Sequence, residues 1–404
     1  MIQTPIILAH NVLDGALLTG NETPGHELYR LCDGLRHTWW QAPSTAMQDI
    51  DVRVKNMILN SDFENDLRGW ALFTSGGASG EFLRNETSPI SGRADAVMNA
   101  VDADDGEAVF MVFQYEPFFF KGGRTYRMMF RAKAQTATKQ IRFGFLDNTF
   151  VESENSYKSD FVYQAGSGHY FDFTPASDGW YRVYVRLMES GTIQLDEVVV
   201  GEARSVNTLI IDRGHTLSMA SIGVFYRNHE NGGWGVAKQV ETWLSPAPVF
   251  IEFEPVKALS WRIRIAVWTA CPEIPPASAQ ILYLGERWTL PRNFSGAFDP
   301  HRIERIEEKY ESDCGINIRR LKYAKGVFRA TLSNLGDADY ENVSRFFEDT
   351  NNGIKPFFFI FRPLDCPTDV QLMRLTSSCN VPYEGGARRS WSLEAEEVTG
   401  GRTI

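Results

Sequence analysis

The chain has no run of Lys or Arg longer than two residues, and across 404 residues 41 basic side chains stand against 51 acidic ones, a formal net charge of −10. A nucleic-acid-binding surface draws most of its affinity from neutralised phosphates and needs a clustered basic footprint, so that class is set aside. Cysteine is scarce: Cys32, Cys271, Cys314, Cys366 and Cys379 are scattered without metal-ligand spacing. An odd, sparse set of this kind argues against a disulfide framework and reads as buried free thiols in a reducing compartment. No apolar run reaches bilayer-spanning length, and residues 1–18 offer neither a basic stretch nor a long apolar core with a small-residue cleavage site. The expectation is a protein made and folded in the cytoplasm, with no membrane insertion.

Catalytic signatures are missing as well. The seven His residues include no HExxH pair, and no Ser sits in a Gly-x-Ser-x-Gly elbow. Gly76-Gly77 and Gly232-Gly233 lack the strand, Lys and helix context of a phosphate loop and read as turns. Acid pairs such as Asp104 with Asp105, Glu152 with Glu154 and Glu307 with Glu308 read as solvated loop acids, because glycoside hydrolysis needs two carboxyls at a defined separation across a cleft. The reading is of a non-enzyme.

What the sequence has in quantity is aromatic: 13% Phe, Trp and Tyr within 43% hydrophobic residues. Short runs rich in Val, Ile, Phe and Tyr alternate with Gly, Asn, Asp and Pro turns, which predicts a mainly β protein. Strands are expected at 108–115, 126–132, 140–145, 180–188, 193–200, 249–253 and 261–268. One helix is expected over 337–350, with Asp337 as its cap and Val343, Phe346 and Phe347 on its buried face before Gly353. The length suits two to four domains.

Strands at 48–55 and 206–212 bracket a self-contained block. The outer pieces, residues 37–40, Ile50 to Val54, Val206 to Ile211, Trp261-Arg262-Ile263-Arg264-Ile265 and 281–285, resemble the discoidin-like, galactose-binding-like β-sandwich. Expected boundaries follow: a discontinuous sandwich at 1–55 and 204–292, an insert at 56–203, and a C-terminal unit at 293–404. Loop-closure cost grows slowly with length, so a folded insert with adjacent ends is tolerated.

The insert opens with Asn56-Met57-Ile58-Leu59-Asn60-Ser61-Asp62-Phe63-Glu64, followed by Leu67, Gly69 and Trp70. It continues through Ser91-Gly92, residues 122–134 and Gly179-Trp180-Tyr181, and closes on Ile193-Gln194-Leu195-Asp196-Glu197-Val198. This ordered series resembles the jelly-roll carbohydrate-binding modules of the cellulose- and xylan-binding superfamily. The resemblance implies a structural Ca²⁺ held by Glu64 and Asp196 with Asp62 nearby, although Ser61 stands where the family usually has Gly. Glycan binding requires aromatic faces for pyranose stacking and polar groups for the hydroxyls. The residues expected to serve are Gln114, Tyr115 and Tyr157 first, then Phe73 and Phe150, with Tyr163 also at a loop; Trp70, Phe130 and Trp180 are expected to anchor the core.

In the C-terminal unit, the turn Gly353-Ile354-Lys355-Pro356-Phe357 and the late strand Trp391-Ser392-Leu393-Glu394 resemble the small split-barrel-like units of siphophage distal tail and baseplate proteins. That resemblance implies a virion structural protein at the tail tip, partnered by tail-tube and baseplate hub proteins in a homo-oligomeric ring, with residues 2–12 available for inter-subunit contacts. The insert would then face cell-surface glycans. The alternative is a bacterial glycan-binding accessory protein of a polysaccharide-degrading system.

Overall fold

The computed structural model describes residues 4–398 except 59, 218–219, 230–231, 244–246, 268–274, 297, 312–316, 378–379 and 386–387, and backbone alone at 153–154, 241–243, 317–318 and 385. The chain is mainly β, as its alternating runs predict, with a single helix of more than one turn among the described residues. No helix there is long and apolar enough to cross a membrane.

The stretch from Asn56 to Ala203 folds as two facing antiparallel sheets. One runs Ser167–Phe173, Tyr126–Ala134, Gly191–Glu202, Asp95–Val101, Ser79–Asn85. The other runs Glu152–Val162, Lys139–Asp147, Gly179–Leu187, Phe110–Gln114, Trp70–Thr74, with Phe118–Phe120 pairing onto the start of Gly179–Leu187. Phe110, Phe130, Phe143 and Phe145 fill the space between them, and Trp70 closes one end against Phe63 at 5.5 Å. Entry and exit are knitted together by one side chain. Asn56 donates from Nδ2 to the Val198 carbonyl (3.0 Å), while its Oδ1 accepts from the amides of Val200 (2.9 Å) and Ile58 (3.1 Å).

Gln48–Arg53, before this stretch, and Ser205–Ile211, after it, belong to opposite sheets of a second sandwich. The first lies between Ser260–Val267 and Leu17–Thr19, the second between Val249–Lys257 and Leu282–Gly285. Period-two alternation explains its strongest strand: Trp261, Ile263 and Ile265 point into the core, while Arg262 and Arg264 point out. Each outward arginine makes a two-pronged pair with the acid opposite it in register, Arg262 with Asp51 (2.6 and 2.7 Å) and Arg264 with Asp49 (2.7 and 2.8 Å).

A third, open sheet runs in the order Trp288–Thr289, Ile6–Leu8, Phe357–Ile360, Val370–Leu375, Arg388–Glu397, Asn317–Leu335, Ile303–Glu311, with Tyr383–Gly385 pairing onto Arg388–Glu397, and its two ends do not pair; Trp40–Gln41 and Ser278–Ala279 form a separate two-stranded sheet. Two features depart from the sequence reading. Ile6–Leu8, expected to face other subunits, is buried between Trp288–Thr289 and Phe357–Ile360, because three consecutive apolar residues fit a central strand covered on both faces. The helix, Asp337–Asp349, is capped by Gly336 and not Asp337: Asp339 reaches back to accept the Gly336 amide at 3.0 Å. Its apolar stripe, Val343, Phe346 and Phe347, packs on Phe357 and Trp391. Cys32 and Cys366 are free and half-buried, and burial pushes the Cys32 thiol up to about 11; the other three cysteines lie outside the described residues.

Arginines buried at the seams join the three bodies. Arg127 in the jelly roll pairs with Asp172 through Nε (2.6 Å) and Nη2 (2.8 Å), and its Nη1 crosses to Asn228 (3.0 Å) and the Lys257 carbonyl (2.9 Å) of the second sandwich. Arg204 bridges Glu202 and, on the helix, Asp349, both at 2.6 Å. Arg36 joins Asp212 (2.7 Å) to Glu397 (3.0 Å). Removing one partner of such a buried set strands the others without partners. Arg127→Ala is accordingly expected to cost about 2–4 kcal/mol, read as a lowered urea midpoint; a midpoint equal to that of the unaltered protein would show the seam to be idle.

Candidate functional site

The outer face of the six-stranded sheet exposes side chains that a solvated β face does not ordinarily carry. On Gly179–Leu187, Tyr181, Val183, Val185 and Leu187 turn to the core, so Trp180, Arg182, Tyr184 and Arg186 turn outward. Registers extend these positions sideways. Ala71, Phe113, Tyr184, Gly144 and Tyr157 form one row across five strands, and Phe73, Met111, Arg186, Arg142 and Ser159 form the next. A Cβ on Gly144 would run into the Ser156 carbonyl, so only glycine lets the edge strand approach this closely.

Loops close over both ends of the face. At one end Arg186 donates to the Asp104 (3.1 Å) and Gly106 (2.9 Å) carbonyls, which buries it. Beside it Arg142 pairs with Asp105 (3.0 Å) and Glu152 (3.4 Å), and its guanidinium sits 4.7 Å from the centre of the Tyr157 ring. The buried Tyr184 hydroxyl makes no hydrogen bond of ordinary length; burial, and then the Glu152 carboxylate, hold it far above the usual phenol range.

At the other end Phe150 meets Phe113 edge-on at 5.3 Å, and Arg182 lies 4.4 Å from the Phe150 ring centre. Arg182 also donates to the Tyr115 carbonyl (3.0 Å) and the Asn148 side-chain oxygen (3.2 Å). Beyond it Trp180 and Phe119, cross-strand neighbours, meet at 5.3 Å. Trp180 is 51% exposed, Phe119 43%, Phe150 48%, Phe73 46% and Tyr115 67%. Such a surface offers flat apolar faces at ring height with fixed N–H donors between them, the chemistry that holds a pyranose by its C–H face and its hydroxyls.

The structure puts Phe73, Phe150 and Tyr157 on this face but apart: Phe73 on one edge strand, Tyr157 on the opposite edge strand beside Arg142, and Phe150 over Phe113, with Tyr115 at the rim. Gln114 is elsewhere: it shares the inward phase of Phe110 and Val112, is 3% exposed, and lies against Gly69 beneath the surface. Tyr163 lies past the end of Glu152–Val162, exposed in the following turn. Trp70 and Phe130 are core residues, but Trp180, expected with them, is a surface aromatic. Phe113, Phe119, Arg142, Arg182 and Arg186 were not singled out from the sequence. The alternation Trp180-Tyr181-Arg182-Val183-Tyr184-Val185-Arg186-Leu187, with every second residue polar or amphipathic, carried the signal for Arg182 and Arg186.

Glu64, Asp62 and Asp196 are occupied with backbone and hydroxyl partners. Both Glu64 oxygens accept the Arg93 amide (2.9 and 3.0 Å), and Asp62 accepts the Glu64 amide (3.3 Å). Asp196 accepts the Ser91 hydroxyl (2.6 Å) and the Glu197 amide (2.7 Å). A calcium ion takes six to eight oxygens, and among the described residues no three His, Cys, Asp or Glu side chains converge on one point. The carboxylates of Glu64, Asp62 and Asp196 are turned to these protein partners, so most of such a shell would have to come from backbone carbonyls. Burial, and to a lesser degree the neighbouring Glu197 and Asp95 charges, push Asp196 from 3.8 to about 6. A folded-state carboxyl raised above its unfolded value favours folding while protonated, so its contribution is complete below about pH 4 and is lost as pH rises through about 6. Asp196→Asn is expected to flatten the stability profile across that window and to melt higher than the unaltered protein at pH 7.5, with millimolar calcium moving neither melt. A calcium-dependent rise abolished by Asp196→Asn would restore the metal.

No family model matches the chain, and no curated protein does. Among solved structures it is similar to a CBM4 carbohydrate-binding module, at 19% identity over 36% of this chain and 99% of that one, with a TM-score of 0.29. It is similar also to the family 11 carbohydrate-binding module from Clostridium thermocellum in complex with a β-1,3-1,4-mixed-linked tetrasaccharide, at 14% identity over 36% and 94% of the two chains and a TM-score of 0.27. A third is the enzymatically active domain of tailspike protein 4 of bacteriophage CBA120, at 16% identity over 36% of this chain and 21% of that chain, TM-score 0.28. At these identities the likeness concerns the β-sandwich fold and says nothing of ligand.

Proposed function

We propose that the chain binds a saccharide along the outer face of the six-stranded sheet and does not cleave it. The observation that carries this reading is the exposure of Trp180, Phe119, Phe150 and Tyr115 about one arginine, Arg182, at one end of a rigid sheet. Leaving such rings in water forgoes the burial that favours them elsewhere in the fold. The open stretch runs from Phe119 and Trp180 past Arg182 to Phe150 and Tyr115, while Tyr184 and Arg186 beyond it are buried. Its acids do not resemble a hydrolytic pair, since Asp105 and Glu152 are both held by Arg142. Trp180→Ala and Phe150→Ala are each expected to weaken binding about tenfold, equivalent to roughly 1.4 kcal/mol, by calorimetry against a panel of oligosaccharides. Unchanged affinity in both would remove the face from consideration.

The proposal extends to the setting, a phage tail tip, where the chain would assemble as a ring on tail-tube and hub proteins and present the jelly roll to host-surface glycans. One observation favours assembly. Among the described residues Ile303–Glu311 pairs only with Asn317–Leu335, whose first half has no other strand partner there, so a two-stranded ribbon extends past the sheet with Ile303, Tyr310 and Tyr323 exposed. Isolated ribbons are marginal in water and gain from a partner. Light scattering and negative-stain microscopy with tail-tube protein are expected to give closed rings on tube ends, and Tyr310→Asp with Tyr323→Asp to give monomers. A monomer in the unaltered protein that ignores tubes would favour a bacterial glycan-binding accessory protein.

A further inference from the structure

Resting on the saccharide-binding reading, we infer that the ligand of this face is anionic, a carboxylate-bearing sugar whose acid group is taken by Arg182. The charges of the face point there. Arg142, Arg182 and Arg186 share it with two acids that reach them, Asp105 and Glu152, and Arg142 engages both. Arg186 is bonded to carbonyl oxygens alone, and Arg182 to carbonyl and amide oxygens alone; among the described residues neither has a carboxylate within ion-pair distance. Asp147, the acid on the Phe150 loop, is committed to that loop, accepting the Thr149 amide (2.8 Å) and hydroxyl (2.7 Å) and the Val151 amide (3.0 Å).

In a chain with a formal net charge of −10 this is a local reversal. Arg36, Arg127, Arg204, Arg262 and Arg264 all find acids, several in two-pronged geometry. A guanidinium in a partly desolvated site without a counter-ion is costly, and its planar fork matches a carboxylate better than it matches a hydroxyl. Arg182 is the one placed to use that match. It is half-buried, lies between Trp180 and the Phe150 ring, and is anchored through Tyr115 and Asn148, so a sugar stacked on either ring would bring a ring carboxylate within its reach. Arg186, buried beneath the 102–107 loop, adds positive potential from below without direct contact.

The test uses the full chain and a panel of tetrasaccharides comprising hexuronates, sialylated chains and neutral β-glucans, with each acidic ligand also supplied as its methyl ester. The best acidic ligand is expected to lose at least about tenfold in affinity on esterification and to weaken again on raising sodium chloride from low to high concentration. Arg182→Gln is expected to reproduce the esterification loss and to bind acid and ester equally, whereas Arg182→Lys, which keeps charge without the fork, retains part of the preference. Should Arg182→Gln melt early, the ester and salt comparisons still decide. Binding confined to neutral members, or equal affinity for acid and ester in the unaltered protein, would overturn the anionic assignment and leave saccharide binding intact. No binding by any member would overturn both.

Discussion

A guanidinium taken out of water has to be met by acids or carbonyls, and in this protein that requirement is satisfied across the seams between the three bodies. Arg127, Arg204 and Arg36 each have side chains of 10% exposure or less, and each reaches a group on a neighbouring unit. Buried pairs of this kind contribute little net stability, because desolvation offsets most of their attraction. They contribute direction. A jelly roll rotated about its two connections would leave Arg127 facing apolar surface, and the helix could not slide along the sheets without parting Asp349 from Arg204. The apolar cores make each body stable, and the arginines fix how the bodies face one another.

That fixed arrangement matters for the outer face of the six-stranded sheet. Its aromatic and guanidinium groups stand on strands whose opposite side is packed with phenylalanine, so the ligand-facing positions inherit the rigidity of the core. The loops that close over the ends are held by the same residues that line the face, Arg186 by the Asp104 and Gly106 carbonyls and Arg182 by Asn148. The shape of the face is thereby set by the fold itself.

Much of the fold was legible from alternation and turn chemistry. The strand at 126–132 appears as Tyr126–Ala134 and that at 180–188 as Gly179–Leu187, and the helix begins at the expected residue even though its cap is one residue earlier. Phe73 and Phe150 were readable because they sit at a strand end and in a loop, whereas Tyr157, expected in such a position, lies in the middle of Glu152–Val162. Gln114 was not readable, and the reason is physical: Phe110-Met111-Val112-Phe113-Gln114 is buried along its whole length, since loops cover its outer side, so hydrophobicity cannot say which alternate residues face the core. Trp180 failed for a related reason, as a lone Trp beside a Gly reads as an anchor until its partner, Phe119, is known to lie across the strand gap. Ile6–Leu8 joins strands some 280 and 350 residues away in sequence, a pairing that no local pattern encodes.

Asn56 holds the point where the chain leaves one sandwich and the point where it returns, with its amide on Val198 and its carbonyl oxygen on Val200 and Ile58. Everything between those contacts could be traded for another body of different specificity, provided the replacement closes on itself at the same spot. A replacement would also have to rebuild the seam that Arg127 makes with Asn228 and the Lys257 carbonyl. The inserted sandwich is thus tied to the rest of the chain at its two connections and along one seam.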